Sequence, residues 1–247
     1  YQADDKSVYY RINKFPGYGK LAHFDLTQLQ STGRVKNDEY DKEHVGDFAL
    51  WKAWDEEDGD VSWESPWGRG RPGWHIECSA MSMALLGDQL DIHCGGVDNI
   101  FPHHEAEIAQ SEGCSGLAPF VRYWLHCAHL LVEGQKMSKS LGNFYVLPDL
   151  LAKGYSGREV RYALLRVHYR APLNFTFEGL EEARQALARL DEWLRRLWEA
   201  ARAGERQVHQ PKTIEDDKFA EALDDDLNIS AALGHLFDQI RESKREL

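Results

Sequence analysis

Apolar and polar positions keep two different rhythms along this chain. The segment SVYYRI, starting at Ser7, alternates weakly and predicts a strand, and FPGYGKL beyond it supplies a turn. Residues 23–35, HFDLTQLQSTGRV, predict a short helix with a glycine stop. Residues 47–54, DFALWKAW, predict a buried strand. The acidic DEEDGD after them is a solvated loop, and SPWGRGRPGW is a Gly/Pro/Arg-rich connector. HIECSAMSMALLG predicts a helix ending at Gly87, and QLDIHCGG a short apolar strand running into a glycine turn. PHHEAEIAQSEG predicts the next helix, entered through NIFPH with Pro102 at its first turn. YWLHCAHLLVEG is a strand region, and PDLLAKGYS opens a further helix beyond a polar loop. From Glu178 onward the texture changes. LEEARQALARLDEWLRRLWEAARAG places apolar residues at helical spacing, and DDKFAEALDDDLNISAALGHLFDQIRESKREL predicts another helical pair beyond the polar link 204–212.

Strand–helix alternation with glycine turns at the strand ends predicts an α/β doubly wound sheet with its site at those ends. An α-helical bundle is expected to follow it. Trp51, Trp54, Trp63, Trp67 and Trp74 crowd one region, and the expectation for them is core and interface packing. The acidic run Asp224-Asp225-Asp226 is expected to cap a helix N-terminus and face solvent.

A chain of 247 residues supports one large or two modest domains. Acidic residues outnumber basic ones by 41 to 29, for a net charge of −12. That argues against whole-surface attraction to nucleic acid and leaves room for a local basic groove. Cys78, Cys94, Cys114 and Cys127 show no paired spacing, which points to a reducing compartment without a disulfide framework. No apolar run approaches the roughly 20 residues that cross a bilayer. The start, YQADDKSVYY, is acidic and polar and resembles no signal peptide. It carries no initiator methionine, so translation is expected to begin upstream of Tyr1.

Candidate chemistry gathers in residues 74–107. Cys78 stands alone on a predicted helix, Gly95-Gly96 makes a turn closed by Asp98, and His103 and Glu107 stand four apart, on one helical face. A thiolate, an imidazole and a carboxylate are side chains that bind zinc. The His-x3-Glu spacing alone belongs as readily to a solvated helix face. His104 and Glu105 are expected to point away from that face and to be supporting or structural. A second stretch, Gly134 to Asn143, holds Lys136 and Lys139 three apart among small hydroxyl residues in a loop. Such a pair can close around a polyphosphate, where positive charge stabilises the charge that develops on phosphoryl oxygens. A bare Lys-x-x-Lys usually sits in solvent, but the full pentad KMSKS beyond an α/β segment is far more specific.

EGQKMSKSLGNF resembles the second ATP motif of class I aminoacyl-tRNA synthetases. GWHIECSAM, DIHCGGVDNIFPHHEAEIAQSEG and HYRAPLNFT are similar to the cysteinyl-tRNA synthetase family in particular, and the resemblance covers nearly the whole chain. It implies the second half of a class I synthetase Rossmann-like nucleotide-binding domain followed by an α-helical bundle. It implies cysteine, ATP with Mg2+, and tRNA(Cys) as partners, a cytoplasmic location, no membrane, and a monomer when intact. By residue, it implies zinc on Cys78, His103 and Glu107, a cysteine pocket lined by Trp74 and His93, and adenosine near Gly96 with Asp98 at the ribose hydroxyls. Lys136 and Lys139 become the catalytic lysines of the mobile loop, with Lys139 the ATP contact. Zinc would then act as a selectivity filter, because pocket shape discriminates poorly between cysteine and serine and the metal prefers a soft thiolate.

The chain also departs from the family pattern. The family's early cysteine, a fourth zinc ligand, and the His-x-Gly-His ATP motif are not in it, and His23 and His44 have no such partner. The resemblance therefore implies a connective-insertion remnant over 1–73 and the C-terminal half of the catalytic domain with the KMSKS loop over 74–147. A stem-contact region over 148–180 and the start of a helical tRNA-binding domain over 181–247 complete the division. The chain by itself is expected not to form cysteinyl adenylate. Two alternatives stand beside ligation of cysteine to tRNA: the related cysteine ligase of mycothiol synthesis, and a non-catalytic synthetase-derived fragment.

Overall fold

The computed structural model describes residues 1–23, 46–202 and 217–246. The helix expected over 23–35 and the polar link 204–212 lie, but for His23, outside the described residues. The chain divides into two compact units, Tyr1–His126 and Cys127–Leu247.

The first unit opens with β1, Val8–Tyr10, which pairs antiparallel with β2, Phe48–Ala53, and β2 pairs in turn with β3, Gly70–Pro72. Helix α1, Trp74–Leu86, follows at once and stops at Gly87, whose φ of 99° a side chain would resist. Strand β4 is Leu90–Gly96, and it lies beside β5, Val121–Cys127, in a two-stranded sheet. Between them the chain passes through a π turn over Ile100–His104 into α2, Glu105–Ser115. Phe101 is extended there, as the residue before a proline tends to be, so the continuous helix starts later than the sequence pattern suggests. One apolar cluster joins Ile12, Tyr18 and Phe48 to Ala106 and Ala109 of α2. A second gathers Leu90, Phe120 and Val121. Small residues at 106 and 109 let α2 approach this cluster closely.

In the second unit β6, Leu130–Val132, pairs antiparallel with β7, Gln135–Lys136, and parallel with β8, Leu173–Phe175. Helices α3, Leu147–Ala152, and α4, Gly157–Leu165, connect them, and the long α5, Phe177–Arg202, follows β8. Val132, Leu150, Val160, Ala163, Phe175, Leu180 and Ala183 form the core between these elements. The chain ends in α6, Lys218–Asp224, and α7, Ile229–Glu246.

The α/β class and the trailing helices follow the sequence pattern, with local corrections. Among the described residues the strands form three small sheets rather than one wide one, and most of these strands are short. The strand region 123–134 is interrupted at 128–129, and its two halves fall in different units. Asp224, Asp225 and Asp226 end α6 instead of heading a helix. Asp217 caps α6 by accepting from the Phe219 and Ala220 amides. Asp226 instead turns back to accept from the Tyr169 hydroxyl at 2.6 Å and from Arg170. Trp54, Trp63, Trp67 and Trp74 are exposed rather than core. An indole that covers a guanidinium or another ring can stay half in water, as Trp54 does beneath Arg69 and Trp67 beside Trp51.

Candidate functional site

Three elements of the first unit converge on one carboxylate. Helix α2 carries Glu107, the turn before it carries His103, and α1 packs alongside with Cys78. The sulfur of Cys78, a ring nitrogen of His103 and a carboxylate oxygen of Glu107 lie within 4.8 Å of one another. Glu107 is fully buried and His103 nearly so. Burial by itself would push the Glu107 carboxyl up; the His103 and His93 imidazoles outweigh it and hold it at about 2. Burial pushes the Cys78 thiol up, with Glu107 and Glu77 adding to the effect.

The donor set fits a zinc ion. Glu107 Oε1 lies 2.8 Å from His103 Nε2, yet the two are not aligned as a hydrogen bond, and Oε1 is buried without a hydrogen-bond partner. A soft thiol, an imidazole and a carboxylate that converge in this way leave lone pairs that a shared cation would satisfy.

Other imidazoles surround this trio. His93, from β4, places Nε2 2.9 Å from Glu107 Oε2. Trp74 stacks on His103 with ring centroids 4.3 Å apart, and it is 59% exposed, so it covers the site from the solvent side. His104 is a correction to the sequence expectation. It does not point away from the cluster; His93, His104 and Glu107 also bring three donor atoms within 4.8 Å. A pair three apart shares a helix face as a pair four apart does, and the π turn ending at His104 alters the angular step as well. Burial lowers His104 to about 4, with Glu107 opposing and His93, His126 and His103 adding. Its Nδ1 lies 2.8 Å from His126 Nε2 on β5. Gly95 makes room for this ring, since a Cβ there would sit 2.6 Å from His104 Cε1.

Glu105 does serve a structural purpose. Its buried carboxylate accepts from the backbone amides of Gly19, Leu21 and Ala22, tying the segment after β1 to the start of α2. Gly96 ends β4 and Asp98 lies in the short turn Val97–Asn99. A Cβ on Gly96 would overlap Asp98 Oδ1, so this carboxylate folds back over the glycine.

The lysines belong to the second unit. Lys136 ends β7 and Lys139 opens a single turn, Lys139–Leu141; both are exposed. The loop is braced by Asn143, which accepts from the Ser138 amide at 2.8 Å and donates to the Lys136 carbonyl at 3.2 Å. Lys139 Nζ lies 5.5 Å from the centre of the Phe144 ring. The sequence reading missed His75, His126 and Trp124. His75 had a signal available, since it stands three before Cys78 and so shares its helix face. His126 and Trp124 alternate along β5 on the face that meets His104.

A sheet-and-helix unit carrying a half-buried thiol beside a buried imidazole and carboxylate, with KMSKS in the unit that follows, defines a class. The chain belongs to the family of class I (C) tRNA synthetase catalytic domains, which matches residues 1–185, and a DALR domain matches residues 218–247. It is 58% identical over 247 residues to a cysteine–tRNA ligase of Chlamydia muridarum, covering 98% of this chain and 52% of that protein. A cysteine–tRNA ligase of Protochlamydia amoebophila is 55% identical over 248 residues, covering 98% and 51%. The chain thus spans about half the length of the curated relatives it matches. Among solved structures, the LeuRS of Agrobacterium radiobacter K84, in a ternary complex with tRNA and LeuAMS, matches with a TM-score of 0.53 and 16% identity. That match covers 75% of this chain and 29% of the other, and it bears on the fold alone. No described helix is long and apolar enough to cross a membrane.

Proposed function

We propose that this chain is the part of a cytoplasmic, monomeric cysteine–tRNA ligase that selects cysteine and holds ATP for its activation. The convergence of Cys78, His103 and Glu107 carries the reading, and the identity to cysteine–tRNA ligases supports it. Cys78, His103 and Glu107 would hold zinc, whose chemistry when bound is preference for a soft thiolate over a hydroxyl. Trp74 and His93 flank that position and would bound the cysteine side chain. Asp98, folded over Gly96, would accept from the ribose hydroxyls of ATP. Lys139, assisted by Lys136, would place positive charge on the phosphates of ATP, which enters with Mg2+. The domain division proposed with this reading is insertion 1–73, catalytic 74–147, stem contact 148–180 and helical tRNA binding 181–247. The DALR match at 218–247 supports its last part.

The test is amino-acid-dependent ATP–pyrophosphate exchange by the full-length protein that carries this chain, with cysteine and serine compared. Exchange with cysteine, and at least a hundredfold less with serine, is expected. Equal rates for the two would remove the basis of the proposal.

A further inference from the structure

The ring of His103 has a partner on the side facing away from Glu107. Its Nδ1 lies 2.8 Å from Nδ1 of His75, on the first turn of α1. Resting on the zinc reading above, we propose that His75 is the positioning residue that sets the tautomer and the ring orientation of His103.

The chemistry follows from the atoms. If Nε2 of His103, the nitrogen beside Glu107 Oε1, is to offer a lone pair to a metal, the ring proton must sit on Nδ1. That N–H then needs an acceptor, and His75 Nδ1 is at hydrogen-bond distance from it. In that state His75 Nδ1 is the acceptor, and His75 carries its own proton on Nε2. Metal-ligating histidines ordinarily have such a partner on the second nitrogen, most often a carboxylate or carbonyl, and here an imidazole takes the place.

Stacking alone cannot do this work. Trp74 lies against the face of His103 at 4.3 Å, which sets the plane of the ring. A half-turn about the Cβ–Cγ bond keeps the plane of the ring and the stack but exchanges the two edges, so it removes Nε2 from the Glu107 side. Only a partner that distinguishes nitrogen from carbon prevents it. His75 is itself held, edge-on to Phe48 at 5.5 Å and 85°, and beside Trp74 at 5.3 Å. Since His75 and Cys78 lie three apart on α1, one helix face supplies both a metal ligand and the orienter of a ligand on another element.

The experiment uses the full-length protein and measures zinc affinity by competition with a chelator of known affinity. His75→Phe keeps the ring volume and the contact with Phe48 but offers no acceptor. His75→Asn places an amide oxygen near the position of Nδ1. Zinc binding is expected to weaken about 10- to 100-fold in His75→Phe and to recover to within a few-fold of the parent in His75→Asn. In parallel, 15N shifts of His103 in the zinc-free protein should report a proton fixed on Nδ1 in the parent and in His75→Asn, and a mixture of tautomers in His75→Phe. Parent-like affinity and tautomer in His75→Phe would overturn the proposal. Equal losses in both variants would overturn it too, by making the ring a packing element only. A parent protein that binds no zinc through His103 would instead overturn the reading on which the proposal rests.

Discussion

Glu107 meets histidines from different elements at its two oxygens: Oε2 pairs with His93 Nε2 at 2.9 Å, while Oε1 lies 2.8 Å from His103 Nε2 without a hydrogen bond. A charge-bearing group buried this completely cannot lose its role quietly. Glu107→Gln keeps the size and removes the charge. Zinc content of the purified full-length protein should fall well below one per chain, and cysteine affinity should fall with it. Cys78→Ser should give the same paired loss, measured by metal analysis and by cysteine binding at equilibrium.

Lys139 is exposed and rests near Phe144, so removing it should cost the fold little. Lys139→Ala in the full-length protein should lower kcat for pyrophosphate exchange by about 100- to 1,000-fold, the usual loss for one group that stabilises transition-state charge. KM for cysteine should stay within a few-fold, which is the pattern of an interaction made mainly in the transition state.

Glu105 makes the opposite trade, with three backbone amides on its carboxylate. Glu105→Ala leaves these amides without their acceptor at about 1–3 kcal/mol for each that stays buried. The melting temperature should drop by several degrees or more, and amide hydrogen exchange should accelerate first at Gly19, Leu21 and Ala22. Exchange at those positions unchanged from the parent would mean that the carboxylate is not what holds the segment.

Acid should loosen the second unit through Glu159. This residue closes a capping box with Ser156 at the start of α4 and receives Arg184 Nε at 2.8 Å. The Arg184 guanidinium and the Ser156 amide hold its carboxyl at about 2, against an ordinary value of 4.5. A depressed carboxyl stabilises the fold above the unfolded value and loses that contribution as pH falls through the folded one. The melting difference between the parent and Glu159→Gln should therefore be full above about pH 5 and fade between pH 4.5 and 2. Its size should be about 1 kcal/mol or less, since water screens the Arg184 side of the pair.

Most of the element order is legible in the sequence, because the apolar patterns at 47–54, 90–96 and 177–202 are locally strong and the run at 74–86 is largely apolar and closed by Gly87. His103 and Glu107 are legible for the same reason, since a four-residue spacing survives the π turn that precedes α2. Three features are not. His104 stands three before Glu107, a spacing that helical periodicity allows, but its contact with His93 and His126 depends on how β4 and β5 pack against the turn. His75 and His103 meet across 28 residues, and such pairing is set by how α1 and α2 pack. Asp226 binds Tyr169 and Arg170 across more than fifty residues, so an acidic run that reads as a cap becomes a tertiary contact.

The most direct measurement is anomalous diffraction collected above and below the zinc edge on crystals of the full-length protein purified without chelator. A single strong difference peak bonded to Cys78 Sγ, His103 Nε2 and Glu107 Oε1 is the predicted result. No peak there, or a fully occupied one at other residues, would contradict the account.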